Sequence, residues 1–70
     1  EGTSFTAFLL EQRLGRSYRL LSDPRCAGRT VSAIAFAAGF GDLSYFTRVF
    51  RRRYGCSPSA VRASGARRPA

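Results

Sequence analysis

The chain has 70 residues, of which 44% are hydrophobic, so it suffices for one small folded domain and is too apolar to be a disordered basic tail. Twelve basic residues, all of them arginine, stand against four acidic ones, and the resulting formal charge of +8 favours a polyanion as partner. Because there is no histidine, the two cysteines are far apart and the carboxylates are scattered, we expect no metal site, no cofactor and no enzyme active site.

The first predicted helix extends from about residue 4 to residue 22. Thr3 or Ser4 can cap its N-terminus, because a hydroxyl there accepts a hydrogen bond from the first turn. The residues that recur at helical spacing on one side are Leu10, Leu14, Ser17 and Leu21. The helix should end before Pro24, since the residue that precedes a proline, here Asp23, is disfavoured in the helical conformation.

A second, shorter helix is predicted after a loop that contains Cys26 and Gly28. Thr30 can cap this helix at its N-terminus. The apolar side consists of Val31, Ile34, Ala35 and Ala38. Gly39 should end the helix, because glycine readily adopts the left-handed conformation that follows a helical C-terminus. The small alanine side chains would allow the next helix to cross at close range.

The third predicted helix runs from Leu43 to about Tyr54, with Asp42 as its N-cap and Gly55 as its C-terminal stop. At 3.6 residues per turn it has one apolar side and one polar side. The apolar side consists of Phe46, Val49, Phe50 and Tyr54. The opposite side carries Ser44, Thr47, Arg48 and Arg51, with Leu43 at the tip and with Arg52 and Arg53 beside them. We therefore expect the rings to hold the helix in place and the polar side to face solvent.

A fourth helix is predicted over about residues 57–64, because Ser57 suits the N-cap position and Pro58 the first helical position. Residues 65–70 are expected to form a flexible tail. No stretch alternates with the period of a strand. The predicted fold is therefore all-α, a small bundle of about four helices within one domain over residues 1–64.

Residues 30–54 combine a short helix, a glycine turn and a helix with a basic outer side, which is the arrangement of a homeodomain-like helix-turn-helix that binds DNA. Arg48 carries the guanidinium fork that matches guanine in the major groove, and Thr47 can hydrogen-bond a base edge or contact a thymine methyl. The arginines at 51–53 can neutralise phosphates, or alternatively form only a solvated surface run. We expect double-stranded DNA as the partner.

Residues 30–62 also resemble a known family through residue types at fixed spacings. These are Ile34-Ala35, Gly39-Phe40, Asp42, Ser44-Tyr45-Phe46, Arg48, Phe50, Arg51, Gly55, Ser57-Pro58 and Arg62. The pattern resembles the C-terminal half of the DNA-binding domain of AraC/XylS-type transcriptional regulators. The preceding segment agrees, because its paired residues are placed like those of the long helix that links the family's two helix-turn-helix units; they are Phe8-Leu9, Arg13-Leu14 and Leu20-Leu21.

The resemblance implies a sequence-specific regulator of transcription, usually an activator, that acts near RNA polymerase. Base contacts are implied for Leu43, Ser44, Thr47 and Arg48, and contacts near the DNA backbone for Arg51 and Tyr45. The family's domain contains two helix-turn-helix units, and only the linker helix, about residues 4–22, and the second unit have counterparts here. We therefore expect the chain to be part of a longer regulator in the cytoplasm.

The main alternative function is protein interaction, with only weak non-specific binding of DNA. The chain would then contact RNA polymerase or a second copy of itself, the latter through Phe5, Phe8 and Leu9, which the absent unit would leave without partners. A membrane-surface helix is a weaker alternative, since the capped segments favour tertiary packing and none is long enough to span a bilayer. Double-stranded RNA also fits less well, because its deep major groove does not admit a helix.

Overall fold

The computed structural model describes residues 4–66 of the chain, with side chains described through residue 64. Its helices in chain order are α1 (Phe5–Ser22), α2 (Val31–Ala37), α3 (Leu43–Tyr54) and α4 (Pro58–Ala66). The described residues form no strand, and the predicted all-α fold is confirmed. Helix α1 packs against α2 and α4, while α3 packs against α2 and α4.

Helix α1 begins after Ser4, whose hydroxyl accepts a hydrogen bond from the backbone amide of Ala7 at 3.0 Å. Thr3, the other residue expected to be able to cap the helix, lies outside the described residues. The residues predicted to recur on one side of this helix are largely buried, and Leu10 is half-buried at the edge of that side. The helical spacing of the leucines therefore identifies the side of α1 that faces the core.

The end of α1 at Ser22 is followed by one turn of 3-10 helix at Pro24–Cys26, where the sequence pattern predicts an irregular loop. Proline fits the first position of such a turn, because its φ is already fixed near the helical value. The Asp23 carboxylate caps the turn by accepting a hydrogen bond from the backbone amide of Arg25 at 2.9 Å. The Arg25 side chain also donates to this carboxylate, and together these hydrogen bonds lower the pKa of Asp23.

The core lies between the helices and is built mainly from aliphatic and phenylalanine side chains. Its buried hydrophobic residues are Leu14, Leu21, Ile34, Ala35, Ala38, Phe40, Phe46, Phe50 and Val61. Ser17 is fully buried among them, and its hydroxyl donates to the backbone carbonyl of Leu14 at 2.7 Å, so the polar group is satisfied. The helical periodicity did not predict Phe40, whose ring centroid lies 4.8 Å from that of Phe46.

The turn between α2 and α3 depends on Gly39, which has a φ of 104°. Residues with a Cβ rarely adopt this conformation, whereas glycine does so at little steric cost. The Arg13 side chain of α1 lies against the same position, since a Cβ placed on Gly39 would lie 3.1 Å from Arg13 Nε. The predicted role of Gly39 at the end of α2 is thus confirmed, and α1 contacts the turn directly.

Replacing Gly39 by alanine should destabilise the chain by about 1–3 kcal/mol, because alanine would be held in a conformation that it rarely adopts. Gly41→Ala is the matched control, since Gly41 lacks a positive φ and an added Cβ would meet no atom within 4 Å. The control should be neutral or slightly stabilising, by at most about 1 kcal/mol. Urea unfolding measures both free energies, and equal losses for the two variants would contradict the role assigned to Gly39.

Helix α4 begins after Ser57, whose hydroxyl accepts a hydrogen bond from the Ala60 amide at 3.1 Å, as the sequence predicts. The helix ends at Ala66, two residues beyond the predicted end, so the expected tail is helical at its first two residues. Residues 67–70, the rest of that tail, lie outside the described residues. Val61 of α4 is buried in the core.

Arg62 of α4 joins this helix to the segment between α1 and α2. Its Nη2 group donates to the backbone carbonyls of Ala27, at 2.7 Å, and of Arg29, and it lies 3.4 Å from the carbonyl of Cys26. Because the carbonyls of 26–29 immediately precede Thr30, the N-cap of α2, these hydrogen bonds fix where α2 starts.

Candidate nucleic-acid interface

Both ends of α3 are set by the residues that the sequence analysis predicts. The Asp42 carboxylate accepts hydrogen bonds from the backbone amides of Ser44, at 2.9 Å, and Tyr45, at 3.2 Å. At the other end Gly55 has a φ of 77°, and its amide donates to the carbonyl of Arg51 at 2.8 Å. The helix therefore begins and ends at defined positions, which determines which side chains share a face.

The inner side of α3 consists of rings packed against the rest of the bundle. Phe46 and Phe50 have no solvent-exposed surface, and their ring centroids are 5.5 Å apart. Tyr18 of α1 stacks on Phe50 at 6.1 Å and contacts Tyr54 at 4.7 Å, so α1 covers the C-terminal half of this side. Partial burial raises the pKa of the Tyr54 phenol above its ordinary value. The predicted inward orientation of these rings is observed.

The outer side of α3 holds most of the residues expected to contact DNA. The exposed members are Leu43, Ser44, Tyr45, Arg48, Arg51 and Arg52. Thr47 is the exception, since it is half-buried between the two sides of the helix. The α-helical geometry brings Ser44, Arg48 and Arg51 to one side, opposite to the buried rings. Of the predicted site residues, Ser44, Arg48 and Arg51 thus share one surface, with Tyr45 and Arg52 beside them and Thr47 at its edge. Leu43 lies seven positions before Phe50, on the side of the rings, and is exposed at the N-terminal end of the helix.

Arg53 differs from Arg51 and Arg52 because its side chain is hydrogen-bonded to another helix of the protein. Its Nε donates to the Glu11 carboxylate of α1 at 2.8 Å, and its guanidinium carbon lies 4.8 Å from the centroid of the Tyr54 ring. The hydrogen bond to Glu11 raises the pKa of Arg53 above its ordinary value. No local pattern in the sequence indicates this contact, since the partners are 42 positions apart. Of the run at 51–53, only Arg51 and Arg52 belong to the outer surface.

The charge of the described surface is strongly positive. Only two ion pairs occur among residues 4–64, namely Arg25–Asp23 and Arg53–Glu11. The exposed arginines without an ion pair in that part of the chain are Arg13, Arg16, Arg19, Arg29, Arg48, Arg51 and Arg52. Of the acidic residues that contact α3, Asp42 is directed at the helix N-terminus and Glu11 is paired with Arg53. The outer side of α3 is therefore suited to a phosphate-bearing partner.

A separate apolar surface lies at the start of α1. Phe5 is 75% exposed and Phe8 is 52% exposed, while Leu9 is half-buried. The exposure of Phe5 and Phe8 agrees with the expectation that they lack partners within the chain, whereas Leu9 is partly covered by it. Self-association through the three residues stays a prediction.

The described part of the chain contains neither a membrane-spanning helix nor a cluster of metal-ligating side chains. None of its helices combines the length and the apolar character that are needed to cross a lipid bilayer. Nor do three or more potential metal-ligating side chains gather at one place there.

Comparison with known proteins agrees with this geometry. A family model described as "Helix-turn-helix domain" matches residues 1–64. The transcriptional activator RhrA of Rhizobium meliloti is 45% identical over 62 residues, which are 89% of this chain and 19% of RhrA. The virulence regulon transcriptional activator VirF of Yersinia enterocolitica is 39% identical over 61 residues, which are 87% of this chain and 21% of VirF.

A third relative, the HTH-type transcriptional regulator ExsA of Pseudomonas aeruginosa, is also 39% identical over 61 residues, covering 87% of this chain and 21% of ExsA. The chain thus spans about a fifth of the length of these curated relatives. No solved structure matches it. On the match to the family model and the likeness to these regulators, the chain belongs to the AraC family and contains its helix-turn-helix domain.

Proposed function

We propose that the chain is the sequence-specific DNA-binding module of a bacterial transcriptional activator, and that α3 enters the major groove. The observation that carries this proposal is the division of α3 into two sides. Phe46 and Phe50 are completely buried, whereas Ser44, Arg48 and Arg51 are exposed on the opposite side. A helix whose inner side is packed against the bundle in this way can present its outer side to base edges without losing its contacts to the bundle.

Within this proposal the outer residues have separate roles. Arg48 donates to the O6 and N7 atoms of a guanine, because its two parallel N–H groups match that pair of acceptors. Ser44 and the half-buried Thr47 contact neighbouring base edges, and Leu43 contacts an apolar group such as a thymine methyl. Arg51 and Arg52 neutralise phosphates and contribute affinity without sequence information.

Activation of transcription, a location in the cytoplasm and contact with RNA polymerase are proposed from the relatives. RhrA and VirF are named transcriptional activators, and the chain covers only about a fifth of each. We therefore propose that the module acts as part of a longer regulator, which brings it to promoters where polymerase binds.

The alternative is a protein-interaction module that binds DNA only weakly and without preference. The exposure of Phe5 and Phe8 favours it, because apolar residues at the end of a helix promote association. The two proposals differ in how binding depends on DNA sequence. Non-specific binding alone has a Kd of about 10⁻⁴–10⁻⁶ M at physiological salt and is similar for every duplex.

A binding selection on random duplexes, run at about 50 mM and about 200 mM salt, distinguishes the two. The proposed function predicts that a common sequence is enriched at both salt concentrations, because base contacts depend less on salt than phosphate contacts do. Equal recovery of all sequences at low salt, together with loss of all binding at high salt, would favour the alternative.

Replacing Arg48 by alanine should weaken binding to the selected duplex by about 1–3 kcal/mol and relax the preference at one base pair. Arg52→Ala is the matched control, because it removes the same charge from the same helix at a position assigned to phosphate. The control should weaken binding to all duplexes alike and reduce the salt slope of log K by about one. Titrations followed by fluorescence anisotropy on specific and scrambled duplexes measure both effects. Equal losses on the two duplexes for Arg48→Ala would contradict base recognition by Arg48.

A further inference from the structure

We propose that Tyr45 is a positioning residue for base recognition: its aromatic ring holds the Arg48 guanidinium on the outer side of α3. This inference rests on the proposed DNA-binding function. It differs from a contact between the Tyr45 hydroxyl and the DNA backbone, because it assigns the effect to the ring and to the selectivity of Arg48.

The contact between the two residues follows from helix geometry. Tyr45 and Arg48 are three positions apart on α3, so their side chains are neighbours on its surface. The guanidinium carbon of Arg48 lies 5.8 Å from the centroid of the Tyr45 ring, within the range of a cation–π interaction. Both side chains are exposed, so a DNA duplex can reach the guanidinium while it stays on the ring.

The Tyr45 ring is itself held in place by the core. Its centroid lies 6.3 Å from that of Phe40, whose ring lies 4.8 Å from that of Phe46. Phe40 is 5% exposed and Phe46 is fully buried, so these two rings are fixed by packing. The backbone amide of Tyr45 also donates to the Asp42 carboxylate at 3.2 Å. A continuous line of rings thus connects the interior to Arg48.

The other arginine–ring contact in the described part of the chain shows why Arg48 is the relevant one. Arg53 lies over the Tyr54 ring, but its guanidinium is hydrogen-bonded to Glu11. The Arg48 guanidinium makes no ion pair among residues 4–64, so its donors remain available for DNA. A long arginine side chain loses rotamer freedom when it docks, and one that is already restrained loses less. The ring should therefore strengthen the base contact.

The first test detects the contact in the free protein. NMR should show the Cδ protons of Arg48 shifted upfield by the ring current of Tyr45. Tyr45→Phe keeps the ring and should keep this shift, whereas Tyr45→Leu should abolish it. Far-UV circular dichroism and thermal unfolding of each variant report whether the fold is retained. An Arg48 shift that is the same in Tyr45→Leu as in the parent chain would overturn the inference.

The second test measures selectivity with the duplex found by selection and the same duplex changed at the base pair that depends on Arg48. Tyr45→Leu should reduce the ratio of the two affinities by about two- to five-fold, the expected size of an exposed cation–π contact. Tyr45→Phe should retain the ratio. Tyr45→Leu combined with Arg48→Ala should lower the ratio no further than Arg48→Ala alone, because the ring acts through that arginine.

The outcomes separate this inference from the function on which it rests. A parent chain without any sequence preference would overturn both. Selectivity that is lost in Arg48→Ala and fully kept in Tyr45→Leu would overturn the inference alone. A loss of affinity in Tyr45→Phe that is equal on both duplexes, together with an unchanged ratio in Tyr45→Leu, would assign Tyr45 to the DNA backbone through its hydroxyl and would also overturn the inference.

Discussion

Replacing Phe46 by alanine should destabilise the chain by about 3–5 kcal/mol. The ring is completely buried and contacts the rings of Phe40, at 4.8 Å, and Phe50, at 5.5 Å, so its removal leaves a cavity that rigid neighbours fill poorly. A domain of this length is only marginally stable, and a loss of this size should unfold most of the molecules at 25 °C.

Phe36→Ala is the matched control for that variant, because Phe36 is a phenylalanine of the same helix-turn-helix that is 56% exposed. Its loss should change the free energy of unfolding by no more than about 0.5 kcal/mol. Far-UV circular dichroism at increasing urea concentration measures both variants. If Phe46→Ala unfolds at the same midpoint as Phe36→Ala, the ring at position 46 does not hold α3 against the core.

Replacing Arg62 by alanine should cost about 1.5–3 kcal/mol, the range for hydrogen bonds that involve a charged group. Its Nη2 group donates hydrogen bonds to the backbone carbonyls of Ala27 and Arg29, which precede the N-cap of α2. Arg62→Lys should recover only part of the loss, since the lysine side chain is one bond shorter than the path to the Nη2 atom that makes these hydrogen bonds. Thermal unfolding and hydrogen exchange of the α2 amides measure the effect, and exchange should increase most near the start of α2.

Arg25→Ala is the control for Arg62, because it also removes an arginine of this region and breaks a hydrogen-bonded ion pair, the one with Asp23. That pair is exposed on the arginine side, and exposed ion pairs contribute little to stability because water screens them. The structural role of Arg62 would be refuted by a stability loss no larger than that of Arg25→Ala, or by unchanged exchange in α2.

The helices were predictable from the sequence because their signals are local. Ser4, Thr30, Asp42 and Ser57 cap helices by hydrogen bonds to amides two or three positions away, and such short-range chemistry is visible in the residue order. The sides of α3 were predictable for the same reason, since its period alone separates rings from arginines. The helix-turn-helix arrangement and the basic outer side indicated DNA binding, and the family resemblance agreed with that interpretation.

What the sequence did not reveal depends on contacts between distant residues. Phe40 lies in a turn, outside any helical period, and only the approach of α2 to α3 buries it. The pairs Arg53–Glu11 and Arg62–Ala27 join positions 42 and 35 apart, so nothing local in the chain indicates them. Thr47 was expected on the outer side, but its position beside the buried rings leaves it half-covered. Tertiary packing, rather than local propensity, decides these cases.

The separation of α3 into two sides has a consequence for how such modules diverge. Under the proposed function, substitutions at 44 and 48 would alter the bases that the helix recognises, and substitutions at 51 would alter its affinity for the DNA backbone. All three positions are exposed, so such changes leave the buried rings untouched. New DNA-sequence preferences can therefore evolve through single substitutions on the solvent side, and none of the intermediate variants needs to lose its fold. The same independence makes these three positions the natural sites for randomisation when a regulator is retargeted to a new promoter.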